Sequence, residues 1–179
     1  MYLYTNSKAM AQHLCKGDEP SDEYFMRNGI IAYWRKANAV HRWFVENVQG
    51  GNDDCGTYEV SVEQLRELRD TVDKVLNSTR LVKGQVKNGG MYVGNEFVDC
   101  ISDGLVLEDT TVAKELLPTQ GGFFFGGTDY DQWYWEDLQY TKDVLDVILG
   151  CIEEGRHSWD YHFKGEDDWN LVIRYHASW

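Results

Sequence analysis

Only two of the 179 residues are proline and no long polar run accompanies them, which argues against extended disorder. No apolar run approaches the roughly 20 residues needed to span a bilayer. The opening Met1-Tyr-Leu-Tyr-Thr-Asn lacks a basic region followed by an apolar core, so neither export by a signal peptide nor membrane insertion is expected. Cys15, Cys55, Cys100 and Cys151 stand singly with no Cys-x-x-Cys pair, which fits reduced cytosolic thiols better than a disulfide framework or a zinc site. Gly-x-Ser-x-Gly, His-Glu-x-x-His and Cys/His dyad spacings are all missing, so the sequence displays no reaction centre. Turnover is therefore not the first expectation, and neither a cofactor nor a metal is expected. His157 and His162 would point to opposite faces of a strand, which separates them as ligands of one ion.

What the chain has instead is uneven charge. The net charge is -13, with 30 acids, yet Tyr24 to Val45 contains none, where composition alone would place about four. That stretch carries Arg27, Arg35, Lys36 and Arg42 among Tyr33, Trp34, His41 and Trp43. A second acid-free stretch, Asn77 to Asn95, carries Arg80, Lys83 and Lys87, whereas Asp129 to Asp168 is strongly acidic. So negative a chain opposes non-specific binding to nucleic acid, which needs a broad cationic face. Direct nucleic-acid binding is not expected. The basic residues either form a small confined pocket or pair with the protein's own acids.

A hydrophobic content of 42% in 20.8 kDa suits one domain, residues 1–179, with a β-rich insertion at about 79–113. Met26, Ile30, Tyr33, Ala37, Val40, Phe44 and Val48 recur at spacings of four and three, which predicts one long helix from Asp22 to Val48. Ser61-x-x-Gln64 is a capping box, and Val62, Leu65, Leu68, Val72, Val75 and Leu76 continue it as a second helix. Thr128 is the expected N-cap of a third, running to about Cys151 on a stripe of Tyr134, Leu138, Thr141, Leu145, Ile148 and Ile152. Alternation about Lys164 to Asp168 predicts a C-terminal hairpin with Trp159 facing Ile173 and Phe163 facing Trp169. The fold class is α+β, about three main helices packed on a small antiparallel sheet.

Four segments carry a resemblance. They are Tyr33-Trp-Arg-Lys-Ala-Asn-Ala-Val-His-Arg-Trp-Phe-Val-Glu-Asn-Val-Gln, Asp53-Asp-Cys-Gly, Leu116-Leu-Pro-Thr-Gln-Gly-Gly-Phe-Phe-Phe-Gly-Gly-Thr-Asp-Tyr-Asp and Ala177-Ser-Trp. Together they resemble a family of bacteriophage-encoded proteins of no assigned activity. The resemblance implies a phage or prophage origin and a role in the cytoplasm of an infected bacterium, where small phage proteins often counter host defence.

Guanidinium groups grip phosphates bidentately and aromatic rings stack on bases, so Arg35, Lys36, Asn38, His41, Arg42 and Trp43 are candidate ligands for a nucleotide. Gly121 to Tyr130 leads glycines towards a helix N-terminus, adding Thr128 and Tyr130, and Trp179 is a further stacking candidate. The expected function is sequestration of a small anionic, nucleotide-type immune signal without turnover. The alternative is an acidic inhibitor in which Asp131, Glu136, Asp137 and Asp143 occupy a basic groove on a host defence or nucleic-acid-binding protein. The bland reading makes the aromatics core and pairs the arginines with the acidic helix. The aromatic content of 14% also leaves room for a homo-oligomer.

Overall fold

The computed structural model describes residues 1–14, 28–122, 125–155 and 171–178. Strand β1, Tyr2–Thr5, turns Leu3 and Thr5 into the core, and helix α1, Lys8–Leu14, follows it. Strand β2 is Ile30–Tyr33, helix α2 Asn38–Asn47, strand β3 Thr57–Glu59 and helix α3 Val62–Ser78. A long ribbon follows, β4 at Leu81–Val93 and β5 at Glu96–Leu107, then the short helix α4 at Thr111–Leu116, helix α5 at Gln132–Glu153 and strand β6 at Ile173–His176. The sheet is antiparallel in the order β2-β1-β6-β3, with Tyr2 opposite both Tyr33 and His176. Strand β6 thus lies between β1 and β3, while the expected hairpin partner Trp159 to Phe163 lies outside the described residues.

The three main helices, α2, α3 and α5, cover the core in an α+β arrangement. The capping box of α3 forms as expected: Ser61 Oγ accepts from Gln64 N at 3.1 Å and Gln64 Oε1 from Ser61 N at 2.9 Å. Leu65, Leu68, Val72 and Val75 of α3 are fully buried where it packs along α5, which contributes Leu138, Thr141, Leu145 and Ile148. Fully burying an aliphatic side chain of this kind is worth about 1.5–3 kcal/mol. On the sheet side, Phe44 of α2 stacks on Tyr175 of β6 with ring centroids 3.9 Å apart.

The long helix expected from Asp22 to Val48 does not form. Its described part is strand β2, a turn and helix α2. Gly29 and Lys36 have φ of 67°, which an α-helix cannot contain, and Thr5 N donates to the Gly29 carbonyl at 2.7 Å. The apolar spacing misleads because Ile30, Ile31, Ala32 and Trp34 are all buried, a run that suits a strand covered on both faces.

Thr128 is not the cap of α5 either. Asp131 is, its carboxylate accepting from Trp133 N at 3.0 Å and Tyr134 N at 3.1 Å. Carboxylates suit this position because they also complement the helix dipole.

The β4–β5 ribbon occupies the region of the expected insertion. Its outer half, including Met91, Tyr92, Phe97 and Ile101, is exposed. No described helix is long and apolar enough to cross a membrane.

Candidate functional site

A cleft of about 290 Å³ opens where the turn before α2 meets the Gly126–Asp131 loop and the first two turns of α5. Its lining includes Arg35, Lys36, Asn38, Lys87, Asp129, Asp131, Trp133 and Asp137. The two longest motifs of the sequence therefore converge on one concavity. Small-molecule sites typically start near 300 Å³, so the space suits a single nucleotide-sized unit.

Asn38 builds the convergence. Its side chain is buried, and its amide donates to the carbonyls of Phe125 at 2.9 Å and Gly127 at 2.7 Å, while its Oδ1 accepts from Gln120 N at 3.0 Å. With these three bonds it holds the glycine loop against α2. Lys36, left-handed at φ 67°, lies against Gly126, itself at φ 77°, where an added Cβ would come within 3.4 Å of the Lys36 Cβ. Thr119 Oγ1 donates to the Thr128 carbonyl at 2.9 Å, and its N–H to the Tyr130 hydroxyl at 3.3 Å. Thr128 and Tyr130 thus hold the loop together; neither lines the cleft. The Tyr130 ring meets Tyr134 edge-on at 4.9 Å and has Lys114 Nζ 5.7 Å above it.

The other candidate ligands from the basic segment lie elsewhere. His41 is fully buried, its Nδ1 2.7 Å from the Tyr175 hydroxyl and its Nε2 3.0 Å from Asp53 Oδ1. A tautomer protonated at Nε2 satisfies both contacts, with Tyr175 donating to Nδ1. Burial and the nearby Asp53 charge push the Tyr175 phenol up from its ordinary value, so it stays protonated as this donor. Trp43 is buried in the core. Arg42 points away and pairs with Glu46 at 2.7 Å. Trp179 lies outside the described residues.

Charge inside the cleft is split. Arg35 and Lys36 are exposed, and neither has an ion-pair partner among the described residues. Lys87 is held by Asp99 at 2.9 Å, and Asp131 is spent on the helix cap. Asp137 has no hydrogen-bond or cationic partner for its carboxyl among the described residues. Burial pushes that carboxyl up to about 7, and the charges of Asp131 and Glu136 push the same way. Farther along α5 the acids are matched by α3: Arg69 meets Asp146 at 2.7 Å and Arg66 meets Glu153 at 3.8 Å. The acidic helix is thus neutralised in part by α3 and not by Arg35 or Arg42.

Trp133 and Lys87 fall outside the residues that the sequence singles out as ligands, and Asp137 enters there only as part of an acidic surface. Trp133 had a usable signal: it is a tryptophan off the buried stripe of its helix, and it is 70% exposed. Of the four acids proposed for a partner surface, Glu136 and Asp143 are exposed two turns apart, while Asp131 and Asp137 line the cleft. Among the described residues no group of His, Cys, Asp or Glu is arranged to hold a metal ion. No family model, curated protein or solved structure matches the chain.

Proposed function

We propose that this protein binds a small anionic, nucleotide-type ligand in the cleft and holds it without turnover. One observation carries the reading: in a chain of net charge -13, the exposed cations Arg35 and Lys36 have no ion-pair partner among the described residues and stand at a concave site that also presents an exposed tryptophan. Most of the other described cations have carboxylate partners, Arg42, Arg69 and Arg80 among them, while Lys74 and Lys83, also without an ion pair among the described residues, do not line the cleft. Phosphate would sit on Arg35 and Lys36, and a base on the aromatic plate. The phage origin that the sequence resemblance implies makes a nucleotide immune signal of the host the ligand, and sequestration the means of counter-defence.

Native mass spectrometry tests this on protein purified from bacteria with and without an active nucleotide-signalling defence. An intact nucleotide released on heating, and absent from an Arg35→Glu/Lys36→Glu variant, supports sequestration. Protein that emerges empty under both conditions overturns it, as does a bound nucleotide that is steadily degraded.

A further inference from the structure

Setting aside the polar and aromatic side chains engaged by other described residues leaves five that face a ligand in the cleft: Arg35, Lys36, Asp129, Trp133 and Asp137. Trp133 and Asp137 stand at positions i and i+4 of α5, one turn apart on the same face, where side chains are neighbours about 5–6 Å apart at Cβ. An aromatic plate therefore lies beside a carboxyl that has no partner among the described residues, and two cations line the same space.

We infer that the cleft is selective for guanine among the bases, with Trp133 stacking on the ring and the Asp137 carboxylate accepting its paired N–H groups. This rests on the nucleotide-binding reading above. Guanine alone presents two adjacent N–H donors, N1–H and the 2-amino group, along its pairing edge. An ionised carboxylate accepts both in parallel, a charge-assisted bidentate contact like that of a carboxylate with arginine. Adenine and cytosine set an amino group beside a ring nitrogen acceptor, which faces a carboxylate oxygen with a lone pair. Uracil offers one N–H flanked by two carbonyls. Arg35 and Lys36 hold the phosphate and are indifferent to the base.

Isothermal titration at pH 8, where Asp137 is largely ionised, separates the base from the phosphate contribution. The titrants are the 5′-diphosphates of guanosine, adenosine, cytidine and uridine. The guanine nucleotide is expected to bind at least about tenfold tighter than the other three, the usual worth of a bidentate base contact. Asp137→Asn, which removes a strained charge and so folds, is expected to erase that preference while keeping the weaker binding common to all four. Trp133→Ala is expected to weaken every nucleotide. Four equal affinities overturn guanine selectivity, and a preference that survives Asp137→Asn overturns its assignment to the Asp137 carboxylate; either result leaves the nucleotide reading standing. No binding by any of the four overturns both.

Discussion

The side-chain amide of Asn38 donates to the Gly127 carbonyl at 2.7 Å, joining residues 89 positions apart. Its second bond to Phe125 and the one it accepts from Gln120 make a three-point clamp from one short side chain. A basic turn and a glycine loop become one wall of the cleft through it. Asn38→Ala removes the donor from two carbonyls and the acceptor from an N–H and is expected to cost about 2–4 kcal/mol in urea unfolding. Asn38→Asp keeps an acceptor for Gln120 but sets carboxylate oxygen against two carbonyls, and should be no better.

Lys36 separates binding from stability. Its left-handed backbone is strained for any residue with a Cβ, so Lys36→Gly should leave stability unchanged or raise it by up to about 1 kcal/mol. Ligand affinity should nevertheless fall, because the ammonium is gone. Thermal melts and titration on the same sample check both halves, and a clear loss of stability would contradict the strain argument.

Asp137 makes stability depend on pH. Its carboxyl moves from an ordinary value of 3.8 up to about 7 on folding, so between those values the native state holds a proton that the unfolded chain has released. Stability should fall as pH rises from about 4 to about 7 and stay low above that. Asp137→Asn should flatten this slope and be more stable at pH 8 by roughly 2–4 kcal/mol. Denaturant titrations at several pH values measure it, and an unchanged slope in the variant would assign the effect to another group.

The tip of the β4–β5 ribbon should be thermodynamically silent. Tyr92 and Phe97 pair edge-on at 5.4 Å, yet they are 74% and 58% exposed and touch none of the buried core. Replacing both by serine should shift global unfolding by no more than about 0.5 kcal/mol, as for most surface substitutions. The same variant should self-associate less in sedimentation velocity, since it loses exposed apolar area on a strand pair with open edges.

Helices α3 and α5 are legible in the sequence because each buries one stripe and exposes the rest. Leu65, Leu68, Val72 and Val75, or Leu138, Thr141, Leu145 and Ile148, could hardly be spaced otherwise. The segment from Ile30 to Val45 hides its structure for the opposite reason. Nearly all of its apolar residues are buried, so their spacing carries no period, and the decisive signals are two backbone angles, at Gly29 and Lys36. In the cleft, Arg35 and Lys36 stand out by the missing acids around them. His41 shares their segment but is drawn inward by Tyr175, 134 positions away, a contact that no local pattern announces, and Trp43 lies in the core beside Phe44. Asp137 is masked by its acidic neighbours, since a charge count does not distinguish a carboxylate on a helix cap from one in a cavity.

Strand β1 lies in the sheet interior with β2 on one side and β6 on the other, so Tyr2 faces both Tyr33 and His176. During synthesis the inner pairing of this sheet has to wait until residues 173–176 have left the ribosome. The α3–α5 packing and the β4–β5 ribbon, closed over much shorter loops, can form before then. Until that moment Leu3, Ile31 and Phe44 lack part of their cover, which makes sheet closure the slow, aggregation-exposed step of this protein's folding.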